Sequence, residues 1–138
     1  CKVVTNGNDD GIGSLRFAIA QCSNPEDYIY IAEFIDSIFL VSDTIILDKN
    51  LSIFHSGNEK VVIQTTSSSP VFKTNPGVLI TLNNIEIHSG GVASSKALLN
   101  NGNTILWNVD IINSIPGEIP VMNTGILEIS ETVQIKNQ

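Results

Sequence analysis

The residues best suited to chemistry are two carboxylates, Glu86 and Asp110, set in matching contexts, Asn84-Ile85-Glu86-Ile87 and Asn108-Val109-Asp110-Ile111. The contexts lie 24 positions apart. If they stack, the carboxylates become neighbours. Such a pair can raise one pKa, bind calcium, or act as acid and base on a polysaccharide. A lyase would also want a base there, and the pattern brings only Lys136 near. The plainer reading, a solvated strand face, is preferred over catalysis or metal binding.

Other reactive side chains lack partners in the sequence. His55 and His88 both precede Ser-Gly, which invites a stacked metal pair. Aligning Ile53 with Ile87 instead sets Phe54 opposite His88, so each histidine is read as a loop residue. Cys1 and Cys22 have neither the close ligand spacing of a zinc site nor a local base for a catalytic thiol. A disulfide between them is expected, contributing about 3 kcal/mol and implying an oxidising compartment; two free thiols are the alternative. The acidic turn at 6–11 fails as an EF-hand-like loop, because the position for the bidentate acid is Phe17. Trp107 would make a sugar platform if exposed, but its alternation with Ile105 places it in the core. No nucleophilic triad, phosphate-binding loop or metal-ligand cluster stands out, and no cofactor is expected.

These residues sit in a recurring frame. The apolar anchors Leu51, Ile85, Val109 and Val133 follow one another at steps of 34, 24 and 24 positions. Short β-type segments recurring at that period describe a solenoid, whose turns must stack to bury their apolar sides. Three short strands per coil predict a right-handed parallel β-helix, an all-β fold. The expected sides are 38–41, 44–47 and 51–54; then 71–73, 78–82 and 85–87; then 97–99, 104–107 and 109–111; then 121–122, 126–129 and 133–135. Residues 61–64 are read as an extra strand that absorbs the longer first step. Alternation turns Leu51, Ile53, Ile85, Ile87, Val109, Ile111, Val133 and Ile135 inward. Asn50, Asn84 and Asn108 precede the anchors and are expected to form a hydrogen-bonded ladder at the strand spacing of about 4.8 Å. Residues 1–37 read as an N-terminal strand-helix cap, with Ser14 capping a helix that runs to about Cys22 and stops at 23–25. Residues 38–138 read as coils that continue beyond the chain end.

Composition narrows the partners. The 138 residues are 42% hydrophobic and 15% charged, with a net charge of −7. That is enough apolar side chain for a core, and the negative balance argues against nucleic acid and anionic membranes. No apolar run reaches the roughly 18 residues of a membrane span. The chain starts at Cys1 without a signal peptide and is expected to be a processed product or an excised fragment.

Val4-Thr5-Asn6, the Asp10-Gly11 turn, Gly13-Ser14-Leu15-Arg16 with Ala18-Ile19, and Asn50-Leu51-Ser52-Ile53 together resemble the N-terminal part of secreted bacterial parallel β-helix surface and adhesin-like proteins. Glycine is sparser around Ala97 and Val121 than in such proteins. The resemblance implies that the first strand and the helix bearing Ser14 and Arg16 cover the N-terminal end of the solenoid; Arg16 itself is read as hydrogen-bonding cap backbone carbonyls in preference to binding substrate. It also implies a secreted or cell-surface, non-enzymatic structural or adhesive module, such as the cap and first coils of a stalk or filament subunit. Its expected partners are further coils of the same polypeptide or another copy at the C-terminal end, and surface glycans. The alternative is a carbohydrate-binding or polysaccharide-degrading β-helix that uses the Glu86 and Asp110 face.

Overall fold

A computed structural model of the chain describes residues 2–22, 27–91, 95–113, 115 and 119–137. It is a β-solenoid of about five turns with parallel strand pairing throughout. The elements are β1 (Lys2–Val4), α1 (Leu15–Gln21), β2 (Asp27–Ile31), β3 (Ser37–Leu40), β4 (Ile45–Leu47), β5 (Leu51–His55), β6 (Val61–Thr65), β7 (Phe72–Thr74), β8 (Leu79–His88), β9 (Leu98–Asn100), β10 (Asn103–Asn113), β11 (Val121–Asn123), β12 (Ile126–Glu131) and β13 (Gln134–Asn137).

Three columns of stacked strands run along the axis. The first is β1, β2, β5, the front half of β8, the front half of β10, and β12. The second is β3, β6, the back halves of β8 and β10, and β13. The third is β4, β7, β9 and β11. The long strands β8 and β10 each serve two columns because they bend at Asn84 and Asn108, whose φ values are 60° and 50°. Asparagine tolerates this left-handed backbone better than most residues, so the corner needs no loop.

The corner also explains two departures from the sequence pattern. Leu51 pairs with Ile80, not with Ile85, and the partner of Ile85 is Val61. Residues 61–65 are therefore a regular member of the second column rather than an extra strand. What is extra is the loop at 56–60, which stands where later coils have a single left-handed residue, Asn84, Asn108 or Thr132. The other departure is Trp107, which points outward and is 41% exposed. Thr104 and Leu106 are the inward residues of that half-strand, and the corner at Asn108 shifts the alternation so that Val109 and Ile111 point inward again.

Within the coils the inward pattern holds. Leu51, Ile53, Ile85, Ile87, Val109 and Ile111 are buried in one continuous core with Ile80, Leu82 and Phe72. Close stacking of the turns depends on small residues: a Cβ on Gly125 would lie 2.0 Å from the carbonyl oxygen of Gly102 on the coil below. At the last coil the pattern is kept but burial is not. Val133 is only partly buried, Ile129 is 56% exposed and Ile135 38%. No described strand lies beyond them to cover these side chains.

At the other end, α1 begins where expected. Ser14 Oγ accepts from the Phe17 N–H at 3.1 Å, and Leu15, Ala18 and Ile19 are buried against the first turns. The expected stop at 23–25 lies outside the described residues. Among those described, no helix is long and apolar enough to cross a membrane.

Candidate functional site

The second column sets Glu86 directly beside Asp110 in an outward row that reads Val62, Glu86, Asp110, Gln134. The inward neighbours Ile85, Ile87, Val109 and Ile111 fix that orientation. Each acid has a basic group of its own. Lys60 Nζ lies 3.4 Å from Asp110 Oδ2, and His88 Nε2 lies 3.4 Å from Glu86 Oε1. The second contact is an ion pair when the imidazole is protonated; His88 Nε2 is otherwise a buried atom without a hydrogen-bond partner. Lys136, the base expected from sequence, bonds Gln134 Oε1 at 3.1 Å.

Lys60 and His88 are the members of this cluster that the sequence reading misses. Lys60 follows from the registers of β6 against β8 and of β8 against β10, and His88 from its place two residues after Glu86 on the same face of β8. The cluster is thus two acids interleaved with two basic groups on a sheet face. It can hold a polar ligand by exchange of ion pairs. Among the described residues, no group of three or more His, Cys, Asp or Glu side chains is arranged to hold a metal ion.

The two histidines are strand residues and do not stack. His88 lies beside Gln64 and Ile112, whereas His55 lies beside Ile31. His55 is buried, with Nδ1 2.9 Å from the carbonyl oxygen of Glu59, so the ring donates from Nδ1 to that carbonyl.

The asparagine row contains Asn84 and Asn108 but not Asn50. Asn108 Nδ2 donates to Asn84 Oδ1 at 3.0 Å, and Asn84 Nδ2 donates to the carbonyl oxygens of Gly57 at 2.8 Å and His55 at 3.1 Å. Asn50 belongs to the first column, where its Oδ1 accepts from the Leu79 N–H at 2.7 Å. A second polar row, which the turn compositions at 74–77, 100–102 and 123–125 conceal, ends the third column. Thr74 donates to Asn100 Oδ1 at 2.6 Å, and Asn100 Nδ2 donates to Asn123 Oδ1 at 2.8 Å. Both rows are buried or partly buried except at Asn123, which is exposed on the last coil, and satisfy polar groups at the coil corners.

Arg16 extends from α1 to the edge of the third column. Its Nη2 pairs with Asp9 Oδ1 at 2.9 Å and also donates to the Asp43 carbonyl at 2.6 Å; Nη1 reaches the Thr44 carbonyl at 3.4 Å. Asp9 Oδ2 in turn accepts from the Ser42 N–H at 3.0 Å and its hydroxyl at 2.5 Å. Burial pushes the Asp9 carboxyl up, but the Ser42 hydroxyl, the Arg16 hydrogen bond and charge, and the Ser42 N–H together outweigh it and hold Asp9 below the usual carboxylate range. Cys22, at the end of α1, is buried, and its carbonyl accepts from Lys49 Nζ. Cys1 lies outside the described residues.

The class that fold and geometry define is a parallel β-solenoid with polar corner rows and one mixed-charge sheet face. Compared with family models, with curated proteins and with solved structures, the chain matches none.

Proposed function

We propose that the chain is a non-enzymatic structural or adhesive module of a secreted or cell-surface bacterial protein, with one end closed and further coil stacked on the other. The observation that carries this reading is the last coil. Ile129 and Ile135 are exposed although their partners one turn below, Leu106 and Ile111, are fully buried. A strand edge with uncovered core residues is a template for another parallel coil. Head-to-tail stacking of copies is disfavoured, because Arg16 and its Asp9 partner lie across the start of the third column, where an incoming coil would have to stack. A further coil of the same polypeptide suits the open edge better.

Secretion would follow from the expected Cys1–Cys22 disulfide, for which Cys22 is buried at the end of α1. Thiol titration of the denatured, unreduced chain should find no free sulfur; two free sulfurs would remove this support. The stacking is tested by inserting a second copy of residues 104–126 after residue 126, which adds one turn. The lengthened chain should elongate by about 4.8 Å and unfold at higher urea. A lower midpoint would contradict the reading.

The second reading, a carbohydrate-active face, is favoured by one observation: Glu86 and Asp110 are adjacent and each has a basic neighbour. Polysaccharide cleavage that disappears in both Glu86→Gln and Asp110→Asn would replace the structural reading with this one.

A further inference from the structure

The first column carries a second outward feature, distinct from the charged face. Its outward row reads Val3, Tyr30, Phe54, Asn83, Trp107 along the axis. Phe54 packs between two tyrosines: its ring centroid is 4.5 Å from Tyr30, edge to face, and 6.0 Å from Tyr28. Beside the row opens a cleft of about 460 Å³ lined by Val3, Tyr30, Ala32, Glu33, Phe34 and Ser56. Phe34 is 67% exposed, and Tyr28, Tyr30 and Trp107 are also open to solvent.

A monomeric solenoid has no folding reason to expose so many large rings on one face, because the core is complete without them. Their surroundings indicate what they would bind. Ring faces alternate with hydrogen-bonding groups: Ser52 beside Tyr28, Asn83 beside Phe54, and Glu33 and Ser56 within the cleft. Ser56 is exposed and its Oγ donates to the Ile31 carbonyl at 3.3 Å, so the hydroxyl oxygen is still able to accept. A pyranose has the matching character, with an apolar C–H face for a ring and hydroxyls around its rim. The cleft contains a carboxylate and no Lys or Arg, on a chain of net charge −7, so an acidic sugar would be repelled. Trp107 stands three rungs from Tyr30, about 14 Å at the strand spacing, so the row suits a chain of sugars rather than one.

We propose that the cleft at Tyr30 and Phe34, with the aromatic row leading from it to Trp107, binds neutral oligosaccharides. The site lies at the capped end and does not depend on what covers the open end. It would supply the adhesive part of the module's function.

The test is calorimetric titration of the whole chain with cellohexaose, chitohexaose and mannohexaose, with a proline-rich decapeptide as the competing chemistry. At least one hexaose should bind. Phe34→Ala and Tyr30→Ala should each weaken that binding about tenfold, and Trp107→Ala should weaken the hexaose but not the matching disaccharide. Phe34 is exposed, so its variant should keep the parent's urea midpoint, and the variant with the inserted coil should bind as the parent does. Binding of none of the three sugars, binding unaffected by Phe34→Ala and Tyr30→Ala, or binding of the peptide alone would each overturn the proposal. Loss of stacking in the inserted-coil variant with sugar binding intact would fault only the open-end reading.

Discussion

The two ends of this solenoid solve the same problem differently. Every coil of a parallel β-helix presents three strand edges and a disc of apolar core to its neighbours. At the N-terminal end the outer edges of β2, β3 and β4 each have something laid against them, while β1, like the last strands, pairs on one side only. β1 lies along β2, the Gly7 carbonyl accepts from the Phe39 N–H at 3.2 Å, and Arg16 with α1 covers the start of β4. At the C-terminal end β11, β12 and β13 each pair on one side only; Ile129 and Ile135 are exposed, and Val121, Leu127 and Val133 are only partly buried. The sequence of the last coil keeps the inward apolar residues of a middle coil.

The sharpest way to break this comparison is to remove the same side chain from one row at two depths. Ile87, Ile111 and Ile135 stack in register. Ile87 is fully buried, so Ile87→Ala should cost about 2–5 kcal/mol in urea unfolding. Ile135→Ala should cost less, about 1–2 kcal/mol, because over a third of Ile135 is already in water and no described coil lies beyond it to close a cavity. Equal costs would mean that the last coil is packed like the rest, and the open end would be an error.

Next in size is the loss of Arg16. Arg16→Met keeps the apolar stem but leaves Asp9 without its cation and the Asp43 and Thr44 carbonyls without their donor. The expected cost is about 1–3 kcal/mol, measured as the drop in unfolding free energy. Arg16→Lys should recover only part of it, since an ammonium group cannot reproduce the planar guanidinium's spread of donors. Full recovery would show that charge alone secures the cap.

The asparagine row gives a smaller contrast. Asn84→Ala removes both a side chain that tolerates positive φ and the donor to the Gly57 and His55 carbonyls, and should cost about 2 kcal/mol. Asn50→Ala loses one bond to the Leu79 N–H and should cost about 1 kcal/mol. Calorimetric unfolding of the pair decides whether the left-handed corner is worth more than the sequence pattern, in which the two residues look alike.

That likeness marks the limit of what the sequence reveals. The second column is legible because Ile85-Glu86-Ile87 and Val109-Asp110-Ile111 alternate identically 24 positions apart, and a slip would bury a carboxylate. The assignment of Asn50-Leu51-Ser52-Ile53 is not legible, because every column of a β-helix alternates in the same way. Periodicity says that a strand has an inner face, not which side of the triangle it occupies. The error carries forward: with Leu51 set against Ile85, Lys60 falls in an extra loop and its approach to Asp110 is invisible. Trp107 is misplaced for a related reason. One left-handed residue at Asn108 inverts the alternation without any glycine or proline to announce it. The usable signal is continuity, since 79–88 and 103–113 run unbroken through their Asn, whereas Asn50 follows a break at Asp48-Lys49.

The smallest effect separates the ends by pH. Asp9 is held below the ordinary aspartate value of about 3.9 by Ser42 and Arg16 against the opposing push of burial. Its carboxylate therefore binds a proton less readily in the folded chain than in the unfolded one. The stabilisation is fully present above the unfolded value. It falls away as pH drops through that value towards the folded one, because the unfolded state takes up the proton first. Above about pH 5 the contribution should be constant. Asp9→Asn should remove this part of the acid slope while leaving the slope from other carboxylates, so the parent and variant urea midpoints should converge as pH falls from 5 to 2. The Asn amide can still accept from Ser42, which makes the charge on Arg16 the main loss. Parallel midpoint curves over that range would show that Asp9 secures the closed end by hydrogen-bond geometry alone.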